Sequence, residues 1–225
     1  MNKTAFADAA KSIGAPLFDA QLDEFERFED ALYEANQVMN LTSVPKNEAW
    51  NRHFLDSLLL VSMLPQGSAV VDLGTGPGLP AWCLACARRD LRLTGVDSNG
   101  KMLGFLRDHP LPNLNVLQIR VEDWKVRNKF DVVTGRAFAP LTIQLESSAS
   151  LCKIGGLVIP MRTPADGDSV REFDPTRLGL ELTAERLVPL PGTDVVRLFP
   201  IYTKVRPTPA IYPRRWAEMK AKPLT

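Results

Sequence analysis

The 225 residues include only three cysteines and two histidines. An odd cysteine count builds no disulfide framework. His53, His109, Cys83, Cys86 and Cys152 stand at no recognisable zinc spacing, so no metal site is expected. Neither charge sign dominates: Lys plus Arg number 27 and Asp plus Glu 26, a net charge of +1. The most apolar run, Phe54–Leu64, is 11 residues long and contains Asp56, Ser57 and Ser62. It is too short and too polar to span a bilayer. Residues 1–16 mix charge with small side chains and hold no continuous apolar stretch, unlike a secretion signal. There is no internal repeat and no low-complexity segment. These absences set the expectation of a soluble, cytoplasmic, monomeric protein with no membrane partner.

The charge that is present is unevenly placed. Residues 1–35 carry three basic and eight acidic side chains, whereas residues 197–225 carry seven basic and one acidic. A basic end interleaved with Tyr212 and Trp216 suits RNA phosphates and unstacked bases, with Arg214 and Arg215 as candidate RNA contacts, or equally a tail that packs Tyr212 and Trp216 against the body and solvates its charges.

Helical spacing places an amphipathic helix over residues 19–36, with Asp19 as its N-cap, and a second over residues 47–63. In the second, Trp50, Phe54, Leu58 and Val61 share one side, and Asn51, Arg52, His53 and Asp56 lie opposite. Beyond Gly67 strands alternate with helices. Short apolar runs begin at Ala69, Leu91, Leu114, Phe130 and Leu157, with helices predicted over 79–88, 101–107 and 141–152. That alternation predicts a mostly parallel sheet with helices on both faces. Two further strands, 180–188 and 195–205, predict an antiparallel pair at the sheet edge, making seven. We expect a helical extension over residues 1–64, a core over 65–205 and a basic tail over 206–225.

The strongest chemical signal is Asp72-Leu73-Gly74-Thr75-Gly76-Pro77-Gly78-Leu79-Pro80, where a strand enters a glycine loop and then a helix. Ligands of open α/β sheets bind at such carboxyl ends. A dinucleotide fingerprint needs its third glycine at position 79, which is Leu79, and no Gly-Lys-Ser/Thr of a phosphate-binding loop follows. A carboxylate at Asp72 favours a cationic ligand over a pyrophosphate, and S-adenosylmethionine carries both a sulfonium and an amino group. Asp97, at the end of the second strand, is placed to accept hydrogen bonds from a ribose.

Further segments carry a resemblance. Asn40–Ser43, Trp50–Ser57, the Asp72–Pro80 loop, Val96-Asp97-Ser98, Phe105-Leu106-Arg107, Arg120-Val121-Glu122, Phe130-Asp131, Arg136-Ala137 and Tyr212-Pro213-Arg214-Arg215 together resemble the RsmG (GidB) family over nearly the whole chain. The resemblance implies a class I (Rossmann-like) S-adenosylmethionine-dependent methyltransferase fold. It implies methylation of N7 of one guanine in 16S ribosomal RNA, with that RNA or the small ribosomal subunit as partner. It further implies cofactor contacts at Gly74, Leu79, Val121, Glu122 and Arg136, and it puts Asn40, His53 and Arg120 at or near the reaction centre. Asp72, Gly76, Gly78 and Asp97 complete the expected cofactor set, and Arg52 joins Arg214 and Arg215 as an RNA contact. The chain departs from the family where Asp108-His109-Pro110 cut a helix short and where residues 163–175 are poor in helix signals.

Other readings are weaker. Trp82-Cys83-Leu84-Ala85-Cys86 superficially resembles a thioredoxin-type redox string, but two small apolar residues packing a helix onto a sheet account for it. A methyltransferase acting on another RNA, a protein or a small molecule would share the glycine loop but not the full motif set. The same holds for an RNA-binding protein without turnover.

Overall fold

A computed structural model describes all residues, 1–225. Seven strands form one sheet: β1 (Ala69–Leu73), β2 (Arg92–Asp97), β3 (Leu114–Gln118), β4 (Phe130–Arg136), β5 (Cys152–Met161), β6 (Leu180–Pro189) and β7 (Val196–Lys204). Their order is β3-β2-β1-β4-β5-β7-β6. The first five are parallel, and β7 runs antiparallel to both β5 and β6. The predicted antiparallel pair is present, with β6 at the edge. Chain order reverses between β1 and β4, so their carboxyl ends open a crevice at a topological switch point.

Parallel strands are buried on both faces, and their sequences read as apolar runs. Successive side chains point to opposite faces. Val70 and Val132 join one apolar cluster, while their neighbours Val71 and Val133 join the other. The first cluster also holds the N-terminal helices α1 (Lys3–Ser12) and α2 (Asp19–Met39), through Phe6, Phe25, Phe28 and Leu32. Phe28 stacks on Trp82 at 3.9 Å, and Phe6 meets Trp50 edge-on at 4.7 Å. Residues 1–64 therefore share their core with the sheet.

Several local expectations need correction. Asp19 is not the N-cap of α2; Phe18 occupies that position, and Gln21 Oε1 accepts the Phe18 N–H at 2.8 Å. Residues 47–63 are not one regular helix. A 3-10 turn (Lys46–Glu48) leads into a π-helical stretch (Trp50–Leu55), one α turn (α3, Asp56–Leu58) and another 3-10 turn (Val61–Met63). π-Turns inside helices often mark functional sites. Here the segment buries Trp50, Phe54 and Leu58 and, on its other side, His53 and Asp56.

Helix α1 lacked a recognised signal, although Asn2 Oδ1 caps it by accepting the Ala5 N–H at 2.9 Å. Residues 163–175 do fold locally. Asp166 accepts the Thr163 N–H at 3.0 Å, and a short helix, Gly167–Glu172, follows.

Candidate active site

Two cavities open along the carboxyl edge of the sheet, and Ala137 lines both. The first, about 270 Å³, lies between the glycine loop and the segments after β2, β3 and β4. The loop is tied to β2, since Gly74 N–H donates to Val96 O at 2.8 Å. Gly74 has φ 71°, and a Cβ there would fall 2.7 Å from Phe138 Cδ2. Gly78 has φ 110°, and its Cβ would meet Leu106 Cδ1 at 2.7 Å. Glycine is required at both positions by conformation and by space.

Asp97 lines this cavity with both carboxylate oxygens fixed: Gly76 N–H donates to Oδ2 at 3.0 Å and Asn99 N–H to Oδ1 at 2.8 Å. Each oxygen keeps a lone pair for a further donor, which suits two vicinal hydroxyls. Val121 and Glu122, from the 3-10 turn after β3, form the facing wall. Glu122 has 11% of its side chain exposed, and the exposed Arg120 stands 3.9 Å from it. Phe138 and Trp216, which meet edge-on at 5.7 Å, complete the lining.

Asp72, expected at the cofactor, does not line this cavity. It is fully buried beneath the loop, where Oδ2 accepts the Ala81 N–H at 3.2 Å at the start of helix α4 (Ala81–Ala87). Oδ1 has no partner. Burial pushes its pKa up to about 7. Gly76, Gly78 and Leu79 shape the loop, and only Gly74 among its glycines lines the cavity.

The second cavity, about 390 Å³, is crowded with arginine: Arg52, Arg136, Arg162 and Arg197 line it, with His53, Asp56 and Asp166. Asp56 is fully buried. Its Oδ2 accepts from Arg136 Nη1 at 3.0 Å, and its Oδ1 from Arg197 Nε at 2.7 Å. Arg136, expected at the cofactor, thus turns its side chain into the second cavity. His53 is buried, with Nε2 at 2.7 Å from Thr42 Oγ1 and Nδ1 unpartnered. Burial, reinforced by Arg136, holds its pKa down at about 4, so the imidazole is neutral at pH 7. Arg52 is exposed and pairs with Glu48 at 2.6 Å.

Asn40 is exposed at the C-cap of α2 in the left-handed conformation and lines neither cavity. Thr42, two residues on, makes the contact with His53. Arg214 is not a free RNA contact: it grips the buried Glu146, with Nε to Oε1 at 2.9 Å and Nη2 to Oε2 at 2.6 Å. Arg215 remains exposed at the N-cap of helix α8 (Trp216–Ala221).

The cysteine string belongs to the core. Cys83 and Cys86 are buried as free thiols, Trp82 packs on Phe28, and burial pushes the Cys83 pKa up to about 12 and that of Cys86 upward too. Reactive thiols need the opposite shift.

Asp56, Arg162 and Arg197 join the site, and Phe138 and Trp216 the cavity walls, without having been expected from the sequence. Asp56 lies within the Trp50–Ser57 segment. Arg197 comes from β7, far along the chain, and carried no local signal.

The sheet order, the glycine loop and the acid ending β2 define a class I S-adenosylmethionine-dependent methyltransferase fold. Solved structures share it: a TehB-like SAM-dependent methyltransferase from Corynebacterium glutamicum superposes with TM-score 0.56 at 18% identity, over 78% of this chain and 98% of that one. The 16S rRNA (adenine(1408)-N(1))-methyltransferase from Catenulisporales acidiphilia gives TM-score 0.52 at 19% identity, over 63% and 87%. The family model of rRNA small subunit methyltransferase G (GidB) matches residues 21–186. Proteins named ribosomal RNA small subunit methyltransferase G are similar over almost the full length: that of Lactobacillus delbrueckii subsp. bulgaricus is 32% identical over 100% of both chains, and that of Roseiflexus castenholzii 36% identical over 91% of this chain and 92% of its own. The chain belongs to the rRNA small subunit methyltransferase G (GidB) family.

Proposed function

We propose that this protein transfers a methyl group from S-adenosylmethionine to N7 of one guanine in 16S ribosomal RNA. The observation that carries this reading is the pair of cavities meeting at Ala137: one offers Asp97, Glu122 and the Gly74 turn, and the other offers a cluster of arginines. The first suits a nucleoside, with ribose hydroxyls on Asp97 and the base against Val121 and Glu122. S-Adenosylmethionine bound there supplies an electrophilic methyl group on a sulfonium. Gly74 lets the backbone approach it, and Phe138 and Trp216 restrict water on the opposite side.

Guanine N7 carries an in-plane lone pair and attacks without losing a proton. No general base is needed, and His53, with its pKa held down at about 4 by burial, would be a weak one. Its part is to shape the wall facing the base through Thr42, not to move a proton. Catalysis rests on orientation, which contributes at most roughly 7–11 kcal/mol. Arg120 lines the first cavity with an exposed side chain open to a docking RNA, whereas Asn40 lies outside both cavities and its part is indirect, through the segment that carries Thr42 to His53. Arg52 and Arg215 offer exposed guanidinium groups for its phosphates. No helix is long and apolar enough to cross a membrane, and we assign the protein to the cytoplasm, acting as a monomer.

The test is transfer of labelled methyl from S-adenosylmethionine to small-subunit RNA from cells lacking this protein. One methyl on N7 of a single guanine is expected. No transfer, or label on another base, rejects the proposal.

A further inference from the structure

We infer that the second cavity is a phosphate subsite, in which Asp56 holds Arg136 and Arg197 as a fixed pair of guanidinium forks for a backbone phosphate of the RNA beside the target guanine. The inference rests on the RNA-methyltransferase reading above and adds a specific recognition element to it.

One fully buried carboxylate is shared by two guanidinium groups. Arg197 donates Nε to Asp56 Oδ1 at 2.7 Å and Nη2 to Oδ2 at 3.2 Å, while Arg136 donates Nη1 to Oδ2 at 3.0 Å. A single pair would be neutral; this triad keeps a positive charge. Holding a surplus charge in a partly dry cleft is unfavourable unless an anion completes it. Arg136 and Arg197 expose only 18% and 26% of their side chains. Arg197 Nη1 and Arg136 Nη2 have no hydrogen bond within the protein, so they remain available to a ligand.

A third arginine has no acid within hydrogen-bond distance. Arg162 is 9% exposed, and its Nη2 donates to Ala139 O at 2.8 Å and Gln144 Oε1 at 2.6 Å, both neutral acceptors. Its Nε is buried and unpartnered. The other acid of the cavity, Asp166, accepts from the Thr163 amide and hydroxyl at 3.0 and 2.9 Å and keeps its charge, so Arg136, Arg162 and Arg197 set against Asp56 and Asp166 leave a net positive charge. Three guanidinium-bearing side chains thus line one opening beside Ala137: Arg136 at the end of β4, Arg162 just after β5 and Arg197 in β7. Planar forks match tetrahedral phosphate oxygens two at a time. A nucleotide whose base meets the methyl donor at Ala137, where the two cavities join, leaves its own or its neighbour's phosphate on this side. Asp56 is then a positioning residue, acting through the two arginines.

The experiment uses the full chain and 16S RNA and reads three quantities: KM for RNA against salt, Kd for S-adenosylmethionine, and kcat. Arg197→Gln should raise KM about tenfold and lower the slope of log KM against log salt by about 0.7–0.9, the value of one phosphate contact. Cofactor Kd should stay within about twofold of wild type. Arg197→Lys keeps the charge but loses the fork; it should retain the salt slope while KM still rises. Should Arg197→Gln fail to fold, Arg197→Lys alone carries the test. An unchanged KM in a folded Arg197 variant overturns the inference, as does a defect confined to cofactor affinity. Failure of the parent reading looks different: wild-type protein would methylate no RNA, and salt-sensitive RNA binding dependent on Arg197 would still support the subsite.

Discussion

Asp72 and Asp97 end neighbouring strands of the same sheet, yet the fold gives them opposite environments. Asp97 faces a cavity with both oxygens braced by backbone amides, whereas Asp72 lies sealed under the loop. Asp97→Ala should weaken S-adenosylmethionine binding roughly ten- to hundredfold, the loss of one or two hydrogen bonds to a charged group. Calorimetric titration checks this, and an unchanged Kd would remove the carboxylate from the site. For Asp72 the expectation concerns stability. Burial raises its pKa from 3.8 to about 7, so between these values the folded protein retains a proton that the unfolded chain releases. Stability therefore falls as pH rises through that window and levels off above it. Relative to Asp72→Asn, wild type should lose up to about 3 kcal/mol between pH 4.5 and pH 8. Urea unfolding of both proteins at each pH measures this, and a constant difference would contradict it. The sequence showed both acids at strand ends. It did not show which faces outward, because that depends on how the loop between Leu73 and Ala81 closes over β1.

At the scale of elements, the C-terminal helix α8 is held as part of the body. Arg214 pairs with Glu146 of helix α6 (Leu141–Ala149), whose side chain is 1% exposed, and its Nη1 donates to Lys222 O at 3.0 Å. That latch sets Trp216 against Phe138 at the first cavity. Arg214→Ala strands a buried carboxylate, which typically costs about 3–5 kcal/mol. Thermal unfolding should register a clear drop in Tm, and an RNA-binding defect at unchanged Tm would return Arg214 to the RNA. Trp216→Ala should leave the latch in place and weaken cofactor binding. The basic composition of the tail was plain in the sequence, but its pairing was not, since Glu146 lies within a buried helix far from residue 214. The segment over residues 46–63 is a similar case. Its apolar spacing was legible, but the π-turn was not, and the burial of His53 and Asp56 on the opposite side depends on partners distant in sequence, such as Arg136 and Arg197.

For the whole molecule, apolar runs separated by turn residues made the parallel core and its antiparallel edge legible, because strands buried on both faces read as continuous apolar runs. The first cavity was legible for the same reason: its walls follow directly after strands, at Gly74, Asp97 and Val121-Glu122. The second was not, since Asp56, Arg136, Arg162 and Arg197 meet only when β4, β5 and β7 come together beside the N-terminal segment. The two cavities divide the labour across Ala137, with the methyl donor on the glycine-loop side and RNA on the arginine side. The most direct measurement is a crystal structure with S-adenosylhomocysteine. The expected complex has ribose hydroxyls on Asp97, the base against Val121 and Glu122, the sulfur directed toward Ala137, and no ligand contact to Arg136 or Arg197. A ligand seated on the arginines, with Asp97 left uncontacted, would contradict it.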